Sequence, residues 1–305
     1  MSAALRSLAS LLLATLLASA CSVRRLAAGG LADALSGSAA TFAREDDPEL
    51  VREALPFVMK ALEAVLSERP EDEALLGAAS SAFGLYAYAF VQLDGEGLEN
   101  ADYARSEHLK ARALALYLRA RDFALRALEL RHPGLAAGLG AWPTETAAEL
   151  ARDDVELTYL AAGTWGLAIS LGKDDPALLA DLEAVRALLR RALELDERHA
   201  EGALHEAMIS VEALPLAMGG SPERAREHYR RALELSGGRR ASLHLKLAEN
   251  VSVPAQDRAE FERLLQAALA VELDATPDLR LSNRIAQGRA RQLLATIDDL
   301  FLPSE

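Results

Sequence analysis

The chain has 305 residues, of which 51% are hydrophobic and only 5% aromatic, and its formal net charge is −13. Because Ala and Leu supply most of the apolar residues, this composition favours packed helices over a β-sheet core. A chain this acidic lacks the basic surface that a phosphate backbone requires, so we expect no nucleic-acid partner. The acidic residues are dispersed, and we interpret them as solvated helix faces.

The first 20 residues have the pattern of a signal peptide. Arg6 precedes an almost wholly apolar run at 8–20, and small residues lead into Cys21. This end resembles a bacterial lipobox, in which cleavage leaves a lipid-modified cysteine at the new amino terminus, although Ala18 stands where Leu is usual. Cys21 is the only cysteine in the sequence, so lipidation is its expected role. A plain secretory signal and an uncleaved membrane anchor are the alternatives.

A lipidated Cys21 would attach the protein to a membrane without a spanning helix. Ser22, and not Asp, follows it, which resembles the sorting pattern of many Gram-negative lipoproteins. We therefore expect a lipid-anchored protein on the periplasmic side of the outer membrane, with the inner membrane as the alternative. One short helix is predicted at 26–35. The predicted division of the chain is a signal peptide at 1–20, a lipidated tether at 21–46 and a single all-helical domain at 47–305.

Capping residues mark the predicted helix starts. In four places a side chain that can cap a helix stands directly before a proline, which suits the first helical position because its missing N–H is not needed there. Asp257 and Glu260 have the spacing of a capping box. Four glycines, Gly134, Gly172, Gly219 and Gly237, stand where helices are expected to end. The four capped prolines occur as Asp47-Pro48, Asp175-Pro176, Ser221-Pro222 and Thr276-Pro277.

Apolar residues between these marks follow the helical period, which predicts an all-α fold of about ten helices. One long helix or a bent pair is expected at about 100–130. The sequence Arg-Ala-Leu-Glu-Leu recurs at 126–130, 191–195 and 231–235. It closes helices that carry small or apolar residues at a four-then-three spacing. The positions with this spacing are Ala120, Ala124 and Ala127; Val185, Leu189 and Ala192; Ala225, Tyr229 and Ala232; and Phe261, Leu265 and Ala268.

This spacing is typical of the second helix of a TPR unit, where small side chains let neighbouring helices nest. We therefore predict a TPR-like helical repeat, an α-α superhelix with irregular inserted helices. The alternative is an ordinary helical bundle in which Ala and Leu recur through composition.

Motifs for catalysis, metal binding or cofactor binding are absent from the sequence. The histidines include no pair at the three- or four-residue spacing that places two imidazoles on one helix face. The glycines at 134–140 lack the Lys-Ser or Lys-Thr of a phosphate loop, and the spacing of the acidic residues selects no catalytic pair. We predict a non-enzymatic protein without a cofactor or metal site, and a helical hydrolase is the minor alternative.

Polar residues within otherwise apolar helices are the candidates for a ligand or partner site. Trp165 could supply an apolar wall and an arginine a polar anchor in one groove or pore. Alternatively, the charged residues pair across helices and only tie the fold together. The candidate residues are Arg119, Arg121, Asp122, Trp165, His205, Arg280 and Asn283.

The same stretches carry a resemblance to a known family. In chain order, the residues at 117–129, 153–155, 165–166, 202–206, 280–283 and 287–294 resemble the TatT family, the T component associated with tripartite ATP-independent periplasmic (TRAP) transporters. The likeness runs from about 80 to 301. It implies a periplasmic TPR-like lipoprotein that can form trimers, binds the solute-binding P component and handles ligand near a pore without catalysis. The alternative function is a generic TPR-like envelope lipoprotein that scaffolds cell-envelope assembly.

Overall fold

The structure is a computed structural model that describes residue 30, residues 34–35 and residues 37–302. The predicted signal peptide, Cys21 and most of the predicted helix at 26–35 lie outside the described residues. Every regular element in the described part of the chain is helical and none is a strand, which confirms the all-α prediction. These helices outnumber the ten that the sequence predicted, because several are short helices of five to seven residues.

The first half of the fold is built from long helices that pack side by side. Its helices are α1 (Ser38–Ala43), α2 (Pro48–Glu68), α3 (Glu73–Gly97), α4 (Tyr103–Arg131), α5 (Leu135–Ala141), α6 (Pro143–Ala147) and α7 (Val155–Leu171). Helix α4 is one continuous helix of 29 residues, so the prediction at about 100–130 is resolved in favour of a single helix. It packs against both α3 and α7.

Helix α3 is long and apolar enough to cross a membrane by length and composition, but 56% of its most apolar stretch is buried inside the fold. Burial of this kind is what a core helix requires. One turn of α3, Ala87–Gln92, is π-helical.

The second half follows as a series of shorter helices. They are α8 (Pro176–Ala180), α9 (Leu182–Asp196), α10 (Ala203–Glu212), α11 (Pro222–Ser236), α12 (Ala241–Leu247), α13 (Arg258–Leu269) and α14 (Arg280–Ala295). A second π-helical turn, Ala248–Ser252, continues α12. From α9 onward each helix packs against the next one. This sequential packing is what a helical-repeat fold requires, and the TPR type of the repeat stays a prediction.

The residues with the four-then-three spacing lie on the inner faces of their helices. Eleven of the twelve are buried, and Tyr229 is partly buried. Because alanine has almost no side chain, Ala225 and Ala232 allow α11 to approach its neighbours closely. The sequence thus identified the packing face of these helices correctly.

The predicted caps form at three of the four proline pairs. Asp47, Asp175 and Ser221 each accept a hydrogen bond from a backbone N–H of the first helical turn. Thr276 makes no such bond, because a short 3-10 turn at Pro277–Leu279 intervenes and α14 begins only afterwards. Asp257 accepts from the Glu260 N–H at 2.8 Å. The carboxylate of Glu260 bonds elsewhere, so the capping box is half formed.

The last helix closes the fold on the first ones. Helix α14 packs against α1 and α2, and Arg284 Nε lies 2.7 Å from Asp46 Oδ1. Beside α14, Asp278 Oδ1 lies 2.6 Å from Arg44 Nε. Residues 37–46 of the predicted tether therefore include a helix that packs on the folded body.

The apolar core is divided. A large cluster lies among α2, α3, α4, α7 and α9, and another lies among α11, α12, α13 and α14. Helix α10 contributes to both, because Leu204 and Met208 belong to the first cluster and Ile209 to the second. The region between the two clusters contains the polar side chains described below.

Candidate functional site

The structure does not bring the seven predicted site residues into one site, although four of them, Arg119, Arg121, Asp122 and Trp165, are neighbours. Arg119 and Asp122 line a surface groove of about 830 Å³ between α2 and α4. The half-exposed Arg119 pairs with Glu63 of α2, and its guanidinium carbon lies 4.9 Å from the centroid of the Phe83 ring. These contacts tie α4 to α2 and α3.

Arg121 and Trp165 meet at the contact between α4 and α7. The guanidinium carbon of Arg121 lies 5.0 Å from the Trp165 ring centroid, a cation–π contact. Arg121 also pairs with Asp122 at 2.8 Å. The buried indole N–H of Trp165 donates to Asp181 Oδ2 at 3.0 Å. Trp165, the predicted apolar wall, and Arg121 therefore do lie together, and they meet in the contact between α4 and α7.

The other three predicted residues lie at separate helix contacts. Asn283 is buried, and its amide accepts from the Ala241 N–H and donates to the Arg239 carbonyl, both at 2.9 Å. Arg280 donates to Asp274 Oδ1 at 2.9 Å. His205 is buried against His228. Contact of any of the seven residues with a solute or a partner stays a prediction.

Polar side chains from both halves of the fold form a cluster that the sequence analysis did not identify. We call it the central cluster. It consists of Tyr88 and Glu96 of α3, Tyr159 of α7, Glu206 of α10, Arg240 just before α12, Lys246 of α12, Glu249 after α12, and Arg289 of α14.

Arg289 joins three elements at one end of the central cluster. Its Nη2 lies 2.6 Å from Glu96 Oε2, and its Nε lies 2.9 Å from Glu249 Oε1. The Arg289 side chain is only 11% exposed. Burial raises the pKa of Glu96, and the Arg289 charge opposes this effect. The second oxygen of Glu96 accepts from the Gln92 amide at 2.8 Å.

A second ion pair lies at the other end. Arg240 Nε is 3.0 Å from Glu206 Oε2, and both side chains are 13% exposed. Burial, and then the charge of Glu206, raise the pKa of Tyr159 to about 12. Tyr88 has a raised pKa because of burial, followed by the charges of Glu249 and Glu96, and Glu206 contributes to this shift as well. The charge of Glu206 therefore reaches both tyrosines.

The central cluster contains polar groups without a protein partner. Lys246 Nζ lies 5.4 Å from the centroid of the Tyr88 ring. Within the described part of the chain, Lys246 forms no ion pair, and the hydroxyl groups of Tyr88 and Tyr159 have no hydrogen-bond partner. Three carboxylates and three cations balance in formal charge. The groups that remain free are an ammonium and two hydroxyls, so they can donate hydrogen bonds to an incoming molecule.

Both π-helical turns contribute to this cluster. Tyr88 lies in Ala87–Gln92, and Glu249 lies in Ala248–Ser252. A π turn inserts one residue into a helix and rotates the side chains that follow, and such turns are frequent at functional sites. Here they turn polar side chains of otherwise apolar helices toward each other.

The central cluster reaches the surface at its Arg289 end. A groove of about 840 Å³ lies between the end of α3, α4, the end of α7 and α14, and both Glu96 and Arg289 line it. Among the residues that the structure describes, no group of three or more His, Cys, Asp or Glu side chains is placed to hold a metal ion. The arrangement can therefore bind a molecule through hydrogen bonds and charge at the end of an open groove.

Sequence signals for this cluster were weak. Polar residues on buried helix faces are the relevant signal, and the sequence shows it in α4, α7, α10 and α14. In α3, Tyr88 and Glu96 do not stand out, because the surrounding run of Ala, Leu and Phe is typical of a plain core helix.

Comparisons with known proteins identify the family of this chain. A protein of Treponema pallidum (strain Nichols), named "Uncharacterized protein", is 29% identical over 306 residues, which cover 94% of this chain and 95% of the other. The sequence model of the TRAP transporter T-component family matches residues 44–301. This match spans the helices from α2 to α14 and hence the whole central cluster. The chain therefore belongs to the TRAP transporter T-component family, as the resemblance predicted.

Proposed function

We propose that this protein binds the solute-binding P component of a TRAP transporter and guides solute along a passage through the central cluster. Membership in the T-component family supports a role beside such a transporter. The observation that carries the finer proposal is the central cluster itself, because it contains free donor groups and its Glu96–Arg289 pair lines an open groove.

The proposed route starts at the groove beside α14. Glu96 and Arg289 line this groove, and Tyr88, which contacts Lys246, lies within reach of their charges. Arg289 bridges two carboxylates there. A guanidinium has five N–H donors, so a solute that carries acceptor oxygens would bind Arg289 through N–H groups that Glu96 and Glu249 do not occupy, and both carboxylates would keep their cation.

The protein would act by binding and not by catalysis. Ion pairs hold the carboxylates of the central cluster, and we assign no group there to acid or base chemistry. We also propose no cofactor. Lipid attachment through Cys21 on the periplasmic side of the outer membrane, together with assembly as a homotrimer, would hold several copies close to the P component.

A generic role as an envelope scaffold has less support. It rested on the TPR-like pattern alone, whereas the family match names a transporter component. Deletion of the gene separates the two functions. Loss of uptake of the transporter's solute with an intact envelope supports the T-component role, and an envelope-assembly defect with normal uptake contradicts it.

Surface plasmon resonance with the immobilised P component of the same transporter tests the partner. We expect saturable binding by the mature protein. Arg289→Met tests the passage, because it removes the bridge at the groove, and Arg263→Met is its matched control because Arg263 is 71% exposed on α13. We expect the first variant to change solute transfer to the P component and the second to leave it unchanged. Absence of binding by the parent protein contradicts the proposed function.

A further inference from the structure

Two histidines link α10 to α11. His205 Nδ1 and His228 Nδ1 lie 2.7 Å apart, with their ring centroids 5.0 Å apart. His205 is buried and His228 partly buried. The other nitrogen of His205, Nε2, lies 3.2 Å from Glu197 Oε1. Each imidazole therefore has a defined partner, and the two rings are each other's partner at Nδ1.

The distance between the two Nδ1 atoms fixes how many protons they hold. A hydrogen bond between two imidazole nitrogens contains one proton, so one nitrogen donates and the other accepts. Because His205 Nε2 faces a carboxylate, it carries a proton, and in the neutral ring its Nδ1 is then the acceptor. The Nδ1–H of His228 donates. A first added proton can be placed on His228 Nε2, but a second one must occupy His205 Nδ1 and abolish the bond.

Arg231 and Arg224 weaken the attraction of the nearby carboxylates for a cationic ring. Arg231 binds both oxygens of Glu197 at 2.7 Å, so this carboxylate has little charge left to stabilise a cationic His205. Glu212, which faces His228, is bound by Arg224 at 2.6 Å. Glu227 on α11 also faces His228. On α12, which packs on both helices, the facing groups are already paired: His244 with Tyr229, and Arg240 with Glu206.

Burial acts in the same direction. It lowers the pKa of His205, an effect that Glu197 opposes, and it lowers the pKa of His228 together with the charge of His205. Two cationic rings in contact would therefore be unfavourable both through desolvation and through mutual repulsion.

Helix α10 also connects this pair to the central cluster. Glu206 is the residue after His205, and its ion pair with Arg240 spans from α10 to the start of α12. At the start of α10, Gly202 has φ 93°, and a Cβ there would lie 3.2 Å from the Ala232 Cα of α11. The two helices are thus in close backbone contact at one end, and the histidine pair holds them nearby.

We propose that His205 and His228 form a pH-sensitive latch that holds α10 against α11 while the two Nδ1 atoms share one proton. Protonation of both Nδ1 atoms breaks the bond and loosens α10. Because α10 carries Glu206, acidification then shifts the Glu206–Arg240 pair in the central cluster. This consequence for solute passage rests on the proposed function, whereas the latch is a property of the α10–α11 contact alone.

Hydrogen–deuterium exchange at pH 7.5 and pH 5.0, corrected for intrinsic exchange rates, tests the latch. We expect peptides from α10 and α11 to exchange faster at pH 5.0 than at pH 7.5. The increase should be about tenfold for each unit by which folding lowers the pKa of the histidine pair. Peptides from α2 and α3 should keep their protection. His228→Gln keeps a donor for His205 but cannot be protonated, so we expect this pH step to become smaller, because only His205 still titrates there. His108→Gln, at an exposed position of α4, should retain it.

Equal protection of α10 and α11 at both pH values in the parent overturns the latch, and so does a full pH step in His228→Gln. If His228→Gln does not fold, the imidazole ¹⁵N shifts of the parent decide the matter. Coupled titration of the two rings below pH 6.5 supports the latch, and independent titration of both near pH 6.5 overturns it. Binding of the P component at pH 7.5 is measured separately, and its absence would contradict the proposed function without affecting the latch.

Discussion

Arg289 Nη2 of α14 lies 2.6 Å from Glu96 Oε2 of α3, so one guanidinium joins the first half of the fold to the second. The same guanidinium binds Glu249. Without Arg289, two half-buried carboxylates would lie close together with no cation between them. We expect Arg289→Met to lower the free energy of unfolding by about 3 kcal/mol, the lower end of the range for a broken buried ion pair.

Urea denaturation of Arg289→Met and of the exposed control Arg263→Met measures this difference. The control should stay within about 0.5 kcal/mol of the parent. Adding Glu96→Gln to Arg289→Met should restore part of the loss, because it removes one of the unpaired charges. Equal stability of parent and Arg289→Met would show that the bridge contributes nothing to the folded state.

Ala232 is fully buried on α11, where the chain approaches Gly202. A larger side chain has no room there, so we expect Ala232→Leu to lower the free energy of unfolding by about 1 to 3 kcal/mol through overpacking. Ala115→Leu, at an exposed position of α4, is the matched control and should be nearly neutral. A neutral Ala232→Leu in thermal or urea denaturation contradicts the described packing of α10 on α11.

Asn283→Ala removes the side-chain oxygen that accepts from Ala241 and the side-chain N–H that donates to Arg239. The N–H of Ala241 and the carbonyl of Arg239 would then be left without these bonds, which should destabilise the fold by about 2 kcal/mol. Asn100→Ala, which removes only an exposed contact with Asp299, is the control. Thermal denaturation measures both. If Asn283→Ala keeps full stability but loses P-component affinity, Asn283 is a binding residue and not a structural one.

Stability should fall in two steps as the pH is lowered. Folding lowers the pKa of His205 and His228, so the unfolded chain binds more protons and the folded state loses stability as the pH falls below 6.5. Arg231, and then His205, lower the pKa of Glu197 to about 2. Its contribution is present above pH 4.5 and is lost as the pH falls toward 2.

Urea denaturation across this pH range resolves the two steps. Glu197→Gln should remove the lower step, whereas Glu194→Gln, at an exposed position of α9, should retain it. A parent stability that rises as the pH falls from 6.5 to 5 would contradict the lowered histidine pKa values.

Cys21→Ser tests lipid attachment, which lies outside the described residues. We expect the parent to fractionate with membranes and to carry an acyl mass on its mature amino terminus, and the variant to be soluble or unprocessed. Mass spectrometry and membrane fractionation measure these properties. The lipoprotein prediction is wrong if the variant fractionates with membranes as the parent does and the parent carries no acyl mass.

Local signals in the sequence predicted much of the fold. Asp47, Asp175 and Ser221 cap helices where the sequence placed them, and the small residues of α11 are buried as their spacing predicted. Thr276 does not cap α14, because a short turn lies between them. Packing against distant parts of the chain determines where that turn forms. Such signals depend only on residues close together in the chain.

The central cluster could not be predicted in this way. Tyr88 and Lys246 are 158 positions apart in the chain, and they meet only because α12 packs near the π turn of α3. Pairing across helices explains much of what the candidate residues do. Arg121 stacks on Trp165, and Asn283 holds the backbone before α12.

The contact of α14 with α1 and α2 restricts how this fold can change in length. An open solenoid gains or loses a unit at either end because its terminal repeats touch only one neighbour. In this chain α14 contacts α1 and α2, so a helix pair added or deleted between them would disturb the Arg284–Asp46 and Arg44–Asp278 pairs. Evolution of a longer binding surface would therefore require insertion into loops and not extension at an end.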